Sequence, residues 1–178
     1  MSLESKTGRV IAVCKSPEHG YPTFPQACIA IGVLGIDGDA HSGQMRESFN
    51  HPGTFKPNDR PISIVANEVL AEVNRQLGLN MKPGDFNEQI VIEGLGDLGD
   101  TPIGSKIVFE GGVILEVVDY AYPCLKLEAH NGPGLITALA KKTEGKVYSK
   151  RGILCKVISA GELSPGATVQ LISPPPPV

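Results

Sequence analysis

Apolar positions in this chain come in short runs broken by Gly, Pro and Asp, and long helical stretches are few. Gly8–Lys15 (GRVIAVCK) is rich in β-branched residues and predicts a first strand. A Gly/Pro loop over Pro17–Pro25 separates it from a second apolar run, Ala27–Val33. The turn-rich segment Leu34–Gly43 follows, and Met45–Asp59, which shows no periodicity, predicts a long loop. Pro61–Val65 predicts a short strand leading into Asn67–Leu77, where Val69, Leu70, Val73 and Leu77 recur at helical spacing and Gly78 supplies a stop. Phe86–Ile92 predicts a strand after the Pro83–Gly84–Asp85 turn. Lys106–Phe109 and Val113–Asp119 flank Glu110–Gly111–Gly112, a hairpin signature. Leu135–Lys142 predicts a short helix, and Ile153–Ser159 and Ala167–Ile172 predict two last strands joined at Ser164–Pro165–Gly166. No repeat and no linker interrupts the pattern. The reading is a single domain over residues 1–178 with its core at about 7–172 and a proline-rich tail at 173–178. The fold class is mainly β with a few helices, and strands this many and this short suggest a barrel.

Composition sharpens this picture. The chain has 178 residues, 41% of them hydrophobic, which is enough for a core of its own. Twenty-one glycines and 15 prolines, about a fifth of the chain, argue against a helical bundle. A net charge of −3 argues against a nucleic-acid backbone binder, and aromatics at 5% with no Trp leave few stacking platforms. The longest apolar stretch, Cys28–Ile36, is short of the roughly 20 residues a bilayer span requires, so no membrane association is expected. The first residues, MSLESKTGRV, hold no apolar signal core, so a cytoplasmic setting with reduced thiols is expected.

Chemistry centres on the cysteines. Cys14, Cys28, Cys124 and Cys155 form no C-x-x-C pair, so a zinc knuckle is unsupported. Cys14 and Cys155 lie inside apolar strands, where a free Cys behaves as a small hydrophobe, and Cys28 opens a similar run. Cys124 differs: it follows Pro123 just past the strand in VVDYAYPCLK, where the chain leaves a sheet. With an ordinary pKa near 8.5 only about 3% of a thiol is ionised at pH 7, so a working thiolate needs cations nearby. Lys126 and the Lys150–Arg151 pair are the candidates, and a structural cysteine with solvated lysines stays open beside that reading. In Gly35–Gly43 (GIDGDAHSG), Asp37, Asp39 and His41 could meet a ligand, or the segment is a plain turn between strands. Arg60 could bind an anionic ligand, with a surface ion pair the favoured alternative, and Arg151 could make a bidentate phosphate or carboxylate contact. His19, His51 and His130 sit in Gly/Pro-rich loops.

Taken together, these pieces resemble the MOSC domain, named for the C-terminal part of the eukaryotic molybdenum cofactor sulfurase. The residues that carry the resemblance are Gly8–Lys15, GIDGDAHSG at Gly35–Gly43 and RPISIVANE at Arg60–Glu68. GDFNE at Gly84–Glu88, LEVVDYAYPCLKL at Leu115–Leu127 and RGILCKVISAGELSPG at Arg151–Gly166 continue it in order. The resemblance implies a MOSC-type β-barrel in which one cysteine, here Cys124, carries sulfur as a persulfide or ligates molybdenum. It further implies Asp37, Asp39 and His41 near that cysteine, and Arg60, Lys126 and Arg151 as holders of the cofactor's anionic groups.

The function this implies is binding of the molybdenum cofactor, or persulfide carriage for metal–sulfur cofactor assembly, through Cys124. Two alternatives remain open: a molybdenum-dependent reductase of N-hydroxylated substrates, and a non-catalytic module that stores or delivers the cofactor. No pyridoxal phosphate site is recognised, so a sulfur donor, an electron-transfer protein or molybdenum cofactor pathway proteins are the expected partners. One departure stands out. The family often has glycine where this chain has Asn87, which is expected to alter the turn there.

Overall fold

Seven strands close on themselves around an apolar interior in this computed structural model, which describes residues 5–175. The last three residues of the expected tail, 176–178, fall outside the described residues. The barrel strands are β1 (Ser5–Lys15), β7 (Ile62–Ala66), β8 (Ile90–Glu93), β9 (Lys106–Phe109), β10 (Ile114–Tyr120), β13 (Ile153–Ser159) and β15 (Thr168–Ile172). Around the barrel they run β15-β9-β10-β13-β7-β8-β1, and β1 pairs back onto β15 to complete the circuit. All pairs are antiparallel except β7 with β8, which the helix α1 (Asn67–Leu77) crosses between.

Alternation explains why these segments become strands. Ile62, Ile64, Ile90, Ile92, Ile107, Phe109, Leu115, Val117, Ile153, Cys155, Val169 and Leu171 all face the interior, and each is nearly or wholly buried. β1 is long enough to serve three partners in succession: β15 at Ser5–Arg9, β8 at Arg9–Val13, and β2 (Phe24–Gln26) at Val13–Lys15. A register shift between Val10 and Ala12 lets it bend from one partner to the next. Helix α1 buries Val69, Leu70 and Val73, the spacing read from the sequence.

Three expectations need correction. Met45–Asp59 is no plain loop: β5 (Met45–Glu47) and β6 (Phe55–Pro57) pair as a short exposed hairpin. Three-residue strands with outward side chains carry no period for the eye to find. The helix expected over Leu135–Lys142 stops at Ala138 as α3 (Leu135–Ala138). The chain then enters the hairpin β11 (Ala140–Thr143) and β12 (Lys146–Ser149), turned at Glu144 and Gly145, both with positive φ. The strand expected from Phe86 begins only at Ile90, because residues 84–88 fold around the carboxylate of Glu88. A further small sheet, β14-β3-β4, sets β3 (Ile29–Gly32) and β4 (Gly35–Ile36) beside β14 (Gly161–Leu163). Among the described residues no helix is long and apolar enough to cross a membrane.

Candidate functional site

Beyond the last residue of β10, Ala121, Tyr122 and Pro123 carry the chain to Cys124, the N-cap of α2 (Leu125–Asn131). This exit is fastened to the turn before β13. Ala121 N–H donates to the Gly152 carbonyl at 2.9 Å, and the Ser149 hydroxyl donates to the Ala121 carbonyl at 2.6 Å. Gly152, at φ 137°, lies so close to β7 that a Cβ there would strike the Ile64 carbonyl oxygen. Only glycine lets this turn press against the barrel and hold Arg151 beside Cys124.

Arg151 is the cation the thiol acquires. Its Nη1 donates to the Tyr122 carbonyl at 2.5 Å, and its Nη2 donates to the Tyr21 hydroxyl at 2.9 Å and the Phe86 carbonyl at 3.1 Å. Tyr21 in turn places its hydroxyl 3.8 Å from Cys124 Sγ. The half-buried sulfur feels two opposing pulls. Burial favours the neutral thiol, but the Leu127 N–H, the Tyr21 hydroxyl, the Arg151 charge and the Lys126 N–H outweigh it and hold Cys124 below its ordinary value. Those N–H groups face the sulfur without closing a side-chain cap on the helix. Burial, with further contributions from Cys124, pushes Tyr21 up to about 12, so it stays a donor.

A belt of hydrogen bonds runs on from Arg151. Next to Phe86, Asn87 places Nδ2 3.4 Å from His41 Nε2. His41 Nδ1 lies 3.0 Å from Asp39 Oδ1 and 3.1 Å from Gln89 Nε2. Asp39 is buried, yet hydrogen bonds from the ring and N–H of His41 and the N–H of Ser16 overcome that burial and hold its carboxyl low. Gln89 Oε1 accepts from the N–H and hydroxyl of Ser63, fixing the belt to β7.

The sequence candidates therefore divide. Cys124 and Arg151 meet through Tyr21, and Asp39 and His41 join them through residues 86–89. Arg60 instead ion-pairs with Asp119, and Lys150 is drawn to Glu72 at 3.0 Å. Lys126 is exposed and faces the sulfur with its backbone N–H, not its ammonium. Asp37 is exposed, and its carbonyl accepts from Lys15 Nζ at 3.0 Å. His130 belongs to α2 and not to a loop, with its ring 5.6 Å from that of Tyr21 and Nε2 3.3 Å from Asp85 Oδ1.

Asn87 takes φ 63°, the left-handed conformation that asparagine tolerates better than most residues, so the turn survives the loss of glycine. Among the other cysteines, burial pushes Cys14 up to about 12 and raises Cys155 further, in keeping with apolar packing. Cys28, read as part of an apolar run, is exposed. Sequence reasoning missed Tyr21 and Gln89, and read Asn87 only as a departure at a turn. Tyr21 lies 103 residues from Cys124, and no local pattern links the two.

A closed seven-stranded β-barrel defines the fold class, and the MOSC domain matches residues 37–170. The chain belongs to that family. It is 28% identical over 151 residues to YuaD of Bacillus subtilis (strain 168), which bears a metal-sulfur cluster biosynthesis name; the match covers 78% of this chain and 77% of YuaD. The crystal structure of the Bacillus subtilis YuaD protein superposes with a TM-score of 0.82 at 23% identity, over 97% of this chain and 100% of that one. YiiM from Geobacillus stearothermophilus shares the fold at a TM-score of 0.61 and 22% identity, over 93% of this chain and 73% of its own. YiiM from Escherichia coli does so at 0.60 and 22%, over 96% and 72%.

Proposed function

We propose that this protein carries sulfur on Cys124 for the assembly of a metal–sulfur cofactor. The supporting observation is the setting of the thiol: a half-buried sulfur whose ionised form is favoured by Tyr21, Arg151 and two backbone N–H groups. More thiolate at neutral pH means faster attack on an electrophilic sulfur. The Cys124 thiolate attacks the outer sulfur of a donor persulfide, R–S–SH. A new S–S bond forms as the donor's own S–S bond breaks, the negative charge leaves on the donor thiolate, and the proton stays on the transferred sulfur. The exchange is redox-neutral overall. The name borne by YuaD points to the same line of work.

The residues also fit a molybdenum cofactor. A soft thiolate suits molybdenum, and Arg151 sets positive charge beside it for an anionic group. No three His, Cys, Asp or Glu side chains gather into a metal cage among the described residues, so Cys124 would be the side chain that ligates the metal. When bound, the group supplies redox chemistry that these side chains lack. One observation favours this second reading: Asn87 Oδ1 is buried beside His41 without a partner, an acceptor that an N–H of a bound ligand would satisfy. That reading includes reduction of an N-hydroxylated substrate with electrons from a partner, and storage or delivery of the cofactor.

Incubation with a persulfide-loaded sulfurtransferase followed by peptide mass spectrometry tests the proposal. One extra sulfur on the Cys124 peptide, lost in Cys124→Ser, is expected; an adduct that persists in that variant overturns it. Molybdenum and pterin content of protein from a cofactor-producing host separates the readings. Metal-free protein bearing a persulfide favours carriage, and stoichiometric metal with pterin favours the second reading.

A further inference from the structure

Tyr21 is a side chain beside the Cys124 sulfur to which neither the sequence nor the family match assigns a task. Its hydroxyl accepts from Arg151 Nη2 at 2.9 Å, and Arg151 is itself pinned by the Tyr122 and Phe86 carbonyls. A phenol oxygen that accepts from a guanidinium keeps one proton to give, and the atom before it is Cys124 Sγ at 3.8 Å. The ring cannot swing freely. His130 lies against it at 5.6 Å and is tethered to Asp85 on the loop that also supplies the Phe86 carbonyl.

We infer that Tyr21 is the dedicated hydrogen-bond donor to the sulfur of Cys124, with Arg151 aiming its hydroxyl and His130 bracing its ring. In its first part this concerns the bare thiolate. In its second it rests on the carrier reading: a transferred sulfur, one S–S bond of about 2 Å beyond Sγ, comes within reach of the same hydroxyl and of Arg151. The pair then holds the S–SH group until an acceptor thiolate attacks its outer sulfur. A new S–S bond forms as the Cys124 S–S bond breaks, and the proton stays on the transferred sulfur. The negative charge leaves on Cys124, where the Tyr21 hydroxyl receives it.

The test is made on the full chain without any sulfur donor. Iodoacetamide labelling of Cys124 at pH 7, followed by peptide mass spectrometry, is compared across wild type, Tyr21→Phe, Arg151→Lys and Phe55→Tyr. A hydrogen bond to a charged group corresponds to about tenfold or more. Tyr21→Phe is expected to slow labelling by that factor, Arg151→Lys by less, and Phe55→Tyr, on the exposed β5–β6 hairpin, not at all. Labelling of Tyr21→Phe at the wild-type rate overturns the inference. Should that variant not fold, wild type decides. With 13C-labelled tyrosine, the Tyr21 ring-carbon NMR resonance should shift when Cys124 is blocked, and an unmoved resonance overturns the inference. Loading with inorganic polysulfide is read separately. If even wild type takes up no sulfur, the carrier reading fails while the donor role of Tyr21 toward the thiolate stands.

Discussion

Glu88 is wholly buried and accepts from the N–H groups of Gly84 at 2.6 Å and Phe86 at 3.0 Å, so it clasps the loop that gives Arg151 its Phe86 anchor. Burial, opposed by those two donors and aided by the charge of Asp85, pushes its carboxyl up to about 7 from 4.5. A carboxyl raised on folding binds its proton more tightly in the native state. Its contribution to stability is therefore complete below pH 4.5 and lost as the pH climbs through about 7. Chemical denaturation between pH 4.5 and 7.5 should show wild type weakening over that window and Glu88→Gln free of the slope. Equal slopes in both would remove Glu88 from the account. At this scale the sequence is legible where chemistry and local position coincide, as they do for Cys124 beside its proline. Tyr21 stayed hidden because its importance comes from where a long loop returns, and not from what surrounds it in the chain.

Between elements, the contact that sets the site is the turn 149–152 against β7. Lys150 reaches Glu72 on α1 at 3.0 Å, and Gly152 packs on the Ile64 carbonyl, so helix and strand both hold the turn. Gly152→Ala puts a Cβ into that carbonyl at a φ side chains rarely adopt. A loss of about 2 kcal/mol is expected in urea unfolding, together with slower labelling of Cys124 as Arg151 shifts. Stability lost with labelling unchanged would show that the turn does not govern the thiol. Helix α1 and strand β13 could be read to the residue because each carries a full amphipathic period. Helix α2 could not. In seven residues, LKLEAHN, its leading Leu–Lys–Leu alternates like a strand.

Across the whole molecule, the barrel seals where the first described strand meets the last, Ser5 opposite Ile172 and Gly8 opposite Val169. A Cβ on Gly8 would strike the Glu93 carbonyl oxygen, so β1, β15 and β8 converge there with no room to spare. Gly8→Val is expected to cost about 3 kcal/mol or more in urea unfolding, and hydrogen exchange should quicken along β1 and β15 first. Uniform quickening, or none, would mean that the seam is not the weak line. The barrel class was foreseeable from many short strands and scarce helix formers. Its strand order was not, since pairing between the two ends of a chain leaves no local trace.

The parts of the thiol's surroundings are scattered along the chain: Tyr21 follows β1, Phe86 precedes β8, and Arg151 precedes β13. A nascent polypeptide that has emerged past Cys124 still lacks Arg151. The surroundings of the sulfur thus come together only after the segment before β13 is made, and a copy cut short of Arg151 keeps Cys124 without its guanidinium neighbour.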